Sequence, residues 1–235
     1  MKKIFTTLSI VFIFFVVNNA FSQSRTPAPI SVGLYLNADF ATNDAYGAAF
    51  GSGYNYGAIW GRGVSLTGKF GLGQKRSSRI VVSAEYNKMI NSNEENKTPL
   101  LMNPNPPHTF YDIISGSVGY EYVFRSTCPD RQYLGLMLTV NNISAPNYNY
   151  YGEVESSMRF GLALTGGYEW VFGANRNIGL NIGIKYNVMN MFNDDNSALL
   201  GSTNLNDGPN AGGPGFKRYF SIVTANAGIN FYFGK

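Results

Sequence analysis

Ile178-Gly179-Leu180-Asn181-Ile182-Gly183-Ile184-Lys185-Tyr186-Asn187-Val188 alternates apolar residues with small or polar ones without a break. A period of two is that of a β-strand, whose successive side chains point to opposite faces. Here one face carries Ile, Leu, Ile, Ile, Tyr and Val; the other carries Gly, Asn, Gly, Lys and Asn. Seven more stretches follow the same rule, over 31–40, 64–72, 80–87, 114–124, 133–141, 159–170 and 222–233. The connections alternate as well. Short ones run over about 73–78, 125–131 and 173–176, and long ones over about 41–63, 89–112, 142–157 and 189–218. Short turns at one end and long loops at the other describe an all-β, antiparallel up-and-down barrel of eight strands crossing a membrane. Both chain ends then fall on the short-turn side. The hairpins echo one another, Gly119-Tyr120-Glu121-Tyr122-Val123-Phe124 against Gly167-Tyr168-Glu169-Trp170-Val171-Phe172.

Composition agrees with this pattern and excludes other classes. Charged residues are 14% of the 235, against about 25% in soluble domains, while aromatics reach 15%. That is too little charge and too many aromatics for a disordered chain. One Cys excludes a disulfide scaffold, and one His leaves no histidine-based metal site. Residues 1–22 have the form of a secretory signal: Lys2 and Lys3, then an apolar run over 4–17, then small Ala20 and Ser22 before a cut. That run is shorter than the ~20 residues a spanning helix needs. Two of the 18 basic residues lie in this segment, so 16 remain against 14 acidic ones and the formal charge falls from +4 to +2. No nucleic-acid partner is expected from that balance. A short segment, 23–29, would precede a barrel domain over 30–235.

Three features place the apolar face outside, against lipid, and distinguish the chain from a soluble secreted barrel. The apolar face is almost free of charge. The other face is rich in glycine (Gly33, Gly71, Gly119, Gly135, Gly161, Gly167, Gly179, Gly183 and Gly228), which suits a narrow lumen better than a water-facing surface. Tyr120, Tyr122, Phe124, Tyr168, Trp170, Phe231 and Phe233 gather on the apolar face near the short-turn end, as in an interfacial girdle. The inward face holds Asp39, Lys69, Glu85, Glu121, Arg159, Glu169 and Lys185. Estimated heights mix signs in each layer, and buried charges call for partners. The expectation is a polar lumen closed by ion pairs; a narrow gated conduit is the alternative.

With these faces assigned, the chain resembles the small eight-stranded outer-membrane barrels of Gram-negative bacteria, the group of the OmpA transmembrane domain and OmpX. The resemblance spans nearly the whole mature chain. Its last strand, Gly228-Ile229-Asn230-Phe231-Tyr232-Phe233, is similar to the aromatic-ended signal read by the barrel-assembly machinery, although Gly234 and Lys235 follow it. The resemblance implies an outer-membrane location with periplasmic termini, and contacts with membrane lipid and lipopolysaccharide. It brings no catalytic motif.

Chemistry is otherwise sparse. His108 lies in Asn103-Pro104-Asn105-Pro106-Pro107-His108, which reads as a turn-forming external loop, and no serine stands in a nucleophile motif. Asn193-Asp194-Asp195-Asn196 with Asn204, Asn206 and Asp207 offers oxygen ligands for Ca²⁺ without the EF-hand spacing. Cys128 precedes Pro129-Asp130 in a turn. The sequons at Asn96 and Asn142 carry little meaning in a bacterial protein. Arg62, Lys88, Lys217 and Arg218 are expected at the outer strand ends, within reach of lipopolysaccharide phosphates. Tyr46, Tyr54, Tyr56, Trp60, Tyr148, Tyr150 and Tyr151 give the first and third long loops large contact area for a protein or glycan, or for packing over the barrel mouth. No cofactor, metal or catalytic residue is expected. A structural or surface-interaction role leads; a small-solute channel, a subunit of a larger secretion or motility complex, and a lipid-modifying enzyme remain open.

Overall fold

The computed structural model describes residues 28–46, 56–91, 110–146, 154–172, 177–192, 195–197 and 216–234. Eight long strands form one closed barrel: β1 (Ile30–Thr42), β2 (Ala58–Leu72), β3 (Ser78–Asn91), β4 (Phe110–Phe124), β5 (Asp130–Pro146), β6 (Val154–Phe172), β7 (Ile178–Val188) and β10 (Ser221–Phe233). Every neighbouring pair is antiparallel. β1 closes on β10 from Ile30↔Phe233 to Thr42↔Ser221, so the sheet has no free edge. Between β7 and β10, β8 (Asp195–Ser197) and β9 (Phe216–Arg218) form a separate two-stranded sheet. Residues 1–27, the signal reading included, lie outside the described residues.

The alternation places the apolar set on the outside. Leu134, Leu136 and Leu138 of β5 and Ile178, Leu180, Ile182 and Ile184 of β7 are all exposed. In register, Leu136 is flanked by Tyr120 and Leu164. The outer wall is thus a continuous apolar surface, far larger than water-soluble proteins display. About ten residues of strand at ~3.3 Å each, tilted ~40°, rise ~25 Å, the height of a transmembrane barrel's apolar band.

The strands run further toward the loops than the alternation alone indicates. β5 has 17 residues and β6 has 19, whereas 133–141 and 159–170 were expected. The added rungs run from Asn142↔Met158 to Pro146↔Val154. Their outer face carries Asn142, exposed Met158, Ser144 and Ser156, and the two serine hydroxyls hydrogen-bond each other at 2.7 Å. Above Met158 the polar outer positions Ser144 and Ser156 show no selection for outward hydrophobes. The backbone ladder therefore continues where the sequence pattern stops.

A closed lumen as the candidate functional site

Inward side chains form three layers. The first, near the short turns, is ionic. Glu169 of β6 accepts from Arg79 Nη1 of β3 at 3.0 Å and from Asn230 Nδ2 of β10 at 3.0 Å. Lys69 of β2 stands 3.6 Å from the same carboxylate and Arg131 of β5 stands 3.8 Å away. Glu121 of β4 lies 2.9 Å from Arg79 Nε and 3.4 Å from Lys69 Nζ. All five charged side chains are buried. Lys69 also sits 4.4 Å above the Tyr133 ring, and Arg131 5.3 Å above that of Tyr232. Six strands are thereby tied across the lumen, by groups too deeply buried to be left unpaired cheaply.

Lys69, Glu121 and Glu169 were expected here. Arg79 and Arg131 were not, although strand parity identifies both. Arg79 stands two residues before inward Val81, and Arg131 two before inward Tyr133. The expected strands began at 80 and 133, one and two residues too late to include them.

The second layer joins β3 to β7. Lys185 Nζ and Glu85 Oε2 are in direct contact, and Ser83 Oγ donates to Glu85 at 3.2 Å. Asp39 accepts from Thr224 Oγ1 at 2.6 Å. A polar cavity of about 50 Å³ lies between the two ionic layers, with Lys69, Glu85, Glu121 and Lys185 in its wall. That is room for about three or four waters, not for a continuous pore.

Tyrosines fill much of the remaining lumen, and the inward glycines are their sockets. Tyr133 Oη donates to Asn181 Oδ1 at 3.0 Å. Its hydroxyl would stand 2.5 Å from a Cβ at either Gly167 or Gly183. Tyr35 donates to Asn230 Oδ1 at 2.5 Å and lies over Gly228 in the same manner. Gly183→Ala is therefore expected to displace Tyr133 and cost about 1–3 kcal/mol, the range for overpacking. Gly116 faces outward, and a Cβ there meets nothing within 4 Å. Urea titration of the refolded barrel should place Gly183→Ala below wild type and Gly116→Ala at or above it.

The third layer corrects the expectation of a polar lumen throughout. At the loop end Tyr56, Met89, Tyr111, Ile113, Ile143, Met189, Phe220 and Ile222 form a buried apolar cluster. The Phe220 ring centroid lies 5.2 Å from that of Tyr56 and 5.4 Å from that of Tyr111. Tyr111 Oη donates to the Tyr56 carbonyl. The Phe220 amide donates to Asn190 Oδ1 at 2.7 Å, and its carbonyl accepts from Met189 N at 2.8 Å. Tyr111, Ile113 and Ile143 keep the inward parity of Ser115 and Asn141, but 89–112 and 142–157, which hold Tyr111 and Ile143, were expected to be loop. Arg159 is buried at the base of this layer, opposite Asn141 in register.

On the outer wall, Tyr120, Tyr122, Phe124, Phe231 and Phe233 are exposed and Tyr168 and Trp170 partly so. Tyr168 and Trp170 are 4.5 Å apart, and Tyr122 and Phe124 are 5.1 Å apart, edge to face. At the loop end, exposed Arg62 pairs in register with Lys88. Lys88 lies 3.8 Å from Asp112 and 4.5 Å above the Phe110 ring. Lys217 and Arg218 are not on the end of a barrel strand. They belong to β9, opposite Asn196 and Asp195 of β8, because the chain turns back on itself before entering β10.

His108, Asn96, Asn193, Asp194, Asn204, Asn206, Asp207, Tyr54, Tyr148, Tyr150 and Tyr151 lie outside the described residues. Asn142 is in β5, not in a loop. Of the loop aromatics within the described residues, Tyr56 packs into the mouth whereas Tyr46 and Trp60 are exposed. Among the described residues no group of three or more His, Cys, Asp or Glu could hold a metal ion. Cys128 is a free, partly exposed thiol.

No protein-family model and no curated protein matches the chain. Solved structures do resemble it. Neisserial surface protein A, NspA, superposes with a TM-score of 0.52 at 16% identity, covering 89% of this chain and 100% of that one. The attachment invasion locus protein Ail of Yersinia pestis gives 0.46 at 14%, covering 87% and 97%. OprG of Pseudomonas aeruginosa gives 0.45 at 10%, covering 90% and 99%. The chain has the fold of the small eight-stranded outer-membrane β-barrels.

Proposed function

We propose that this protein is a closed barrel of the Gram-negative outer membrane, with a structural or surface-interaction role carried by its long loops. The observation that carries this reading is the double closure of the lumen. An ionic layer built on Glu121 and Glu169 blocks one end, and the apolar cluster around Phe220 blocks the other. A solute would have to break buried ion pairs and then cross an apolar, side-chain-filled mouth. The short turns face the periplasm in this reading, and the loops face outward. Arg62 and Lys88 support a contact with lipopolysaccharide. Two like charges opposite each other weaken a sheet, and a phosphate between them offsets that cost by charge-assisted hydrogen bonds. Among the described residues the lumen glutamates Glu85, Glu121 and Glu169 are engaged by Lys69, Arg79, Arg131 and Lys185, and Asp39 accepts from Thr224, so these carboxylates support a packing role.

Purified barrel reconstituted in a planar lipid bilayer tests the closure. No stable open state is expected in single-channel recordings. A large, long-lived conductance would overturn the closed-lumen reading in favour of a channel.

A further inference from the structure

The short-turn end carries a feature that neither closure nor loop presentation uses. The turn over 73–77 joins β2 to β3 and holds Lys75 and Arg76. The adjacent turn over 125–129 joins β4 to β5 and begins with Arg125. The two are stitched together, Ser126 Oγ donating to the Lys75 carbonyl at 2.7 Å and Val123 N to the Ser77 carbonyl at 2.7 Å. Arg76 has φ 48° and Arg125 has φ 53°. This left-handed region is costly for most side chains and nearly free for glycine, as at Gly73 in the first of these turns, with φ 69°. Stability of the turns does not account for arginine at either place. Among the described residues, the acidic group on the outside of these two turns is Asp130, engaged by Arg125 at 3.3 Å and by Tyr168 Oη at 3.1 Å.

Height decides what such a surface meets. Leu72 and Phe124 are the last exposed apolar residues of β2 and β4. Lys75 follows Leu72 by three residues, and Arg125 follows Phe124 directly. Both therefore stand in the headgroup layer, about 5–7 Å deep on each side of the hydrocarbon. The Arg125 side chain is 62% exposed there, and Lys75 is exposed. The stem of Arg76, by contrast, lies over the inward side of Gly71, with its carbons 3.1–3.3 Å from where a Cβ would sit, so Arg76 covers the lumen end and not the outer rim.

We propose that Lys75 and Arg125 form a docking surface for the phosphates of anionic phospholipids in the leaflet that the short turns face. The proposal rests on the membrane-spanning reading above. A basic group near an anionic bilayer strengthens association about five-fold, and arginine adds paired donors to a phosphate.

The test uses the full barrel in nanodiscs of phosphatidylcholine, with and without a minor fraction of phosphatidylglycerol. Electron paramagnetic resonance measures the selectivity of the protein surface for spin-labelled phosphatidylglycerol over spin-labelled phosphatidylcholine. The variant is K75Q/R125N, since asparagine tolerates the left-handed backbone at position 125 and preserves that turn. Wild type is expected to prefer phosphatidylglycerol, and the variant to lose up to about five-fold of that preference per basic residue removed. Salt should erase the difference. R62Q/K88Q at the opposite rim should leave the loss caused by the turn variant intact. Equal selectivity in wild type and turn variant overturns the proposal. So does a preference abolished by R62Q/K88Q alone, or a wild type indifferent to phosphatidylglycerol that co-sediments with purified peptidoglycan. Failure to resist alkaline extraction from vesicles would instead contradict the membrane reading itself, and is scored separately.

Discussion

Glu169→Ala is expected to destabilise the barrel by about 3–5 kcal/mol, the cost of breaking a buried ion pair from one side. Glu169 is fully buried. Its removal leaves Arg79, Lys69 and Arg131, which stand 3.0, 3.6 and 3.8 Å from its oxygens, with Glu121 as the one carboxylate of this layer. It also removes an acceptor of Asn230. The loss comes chiefly from the three cations left in the lumen, not from the attraction forgone. Removing a cation together with the carboxylate, as in Glu169→Leu with Arg79→Met, should therefore cost less than the two single changes combined. The exposed pair of Arg125 and Asp130 provides the contrast. At 62% side-chain exposure for Arg125, its disruption should cost no more than about 1 kcal/mol. Urea-induced unfolding of the refolded barrel, followed by tryptophan fluorescence, ranks the three. Loss of less than about 1 kcal/mol for Glu169→Ala would show that the ionic layer does not hold the lumen together.

Leu136→Arg is expected to cost about 2–4 kcal/mol, because Leu136 faces outward at mid-height and the charge must enter hydrocarbon. Its outward neighbours are Tyr120 and Leu164, and neither offers a counter-charge. Gln132, on the same face of β5 and opposite Phe124, lies at the turn end, where the penalty falls to about 0–1 kcal/mol. Folding yields into vesicles should therefore drop steeply for Leu136→Arg and little for Gln132→Arg. Equal yields would contradict the depth assigned to β5.

Much of the barrel is written in period-two alternation, because one wall must satisfy lipid and the other must fit a narrow interior. Lys185 illustrates this. It interrupts an apolar-small pattern at an inward position, and its contact with Glu85 across the lumen follows from parity plus closure. What parity alone does not give is height and extent. Arg79 and Arg131 lie beyond the point where the outer face stops being apolar, so the readable alternation ends short of them. Ile143 and Tyr111 failed to register for the same reason at the other end. Their outward neighbours Asn142 and Asp112 are polar, so an inward hydrophobe there reads as loop. The mouth cluster also needs Tyr56 and Phe220, which are not in strands, and no local pattern announces a non-strand residue folded into a barrel. The glycine-rich inner face was legible as a narrow lumen. That Gly167, Gly183 and Gly228 are seats for Tyr133 and Tyr35 required coordinates.

The central claim is that one face of each strand lies in lipid while the other is sealed from it. Single cysteines at Leu136 and Met137, adjacent in β5, test this most directly in a Cys128→Ser background. Each is labelled with an environment-sensitive fluorophore and the barrel is folded into vesicles whose acyl chains carry bromine. Strong quenching at 136 and little at 137 is the predicted result, since Leu136 is exposed on the outer wall and Met137 is buried inside. Equal quenching at both positions, or stronger quenching at 137, would contradict it.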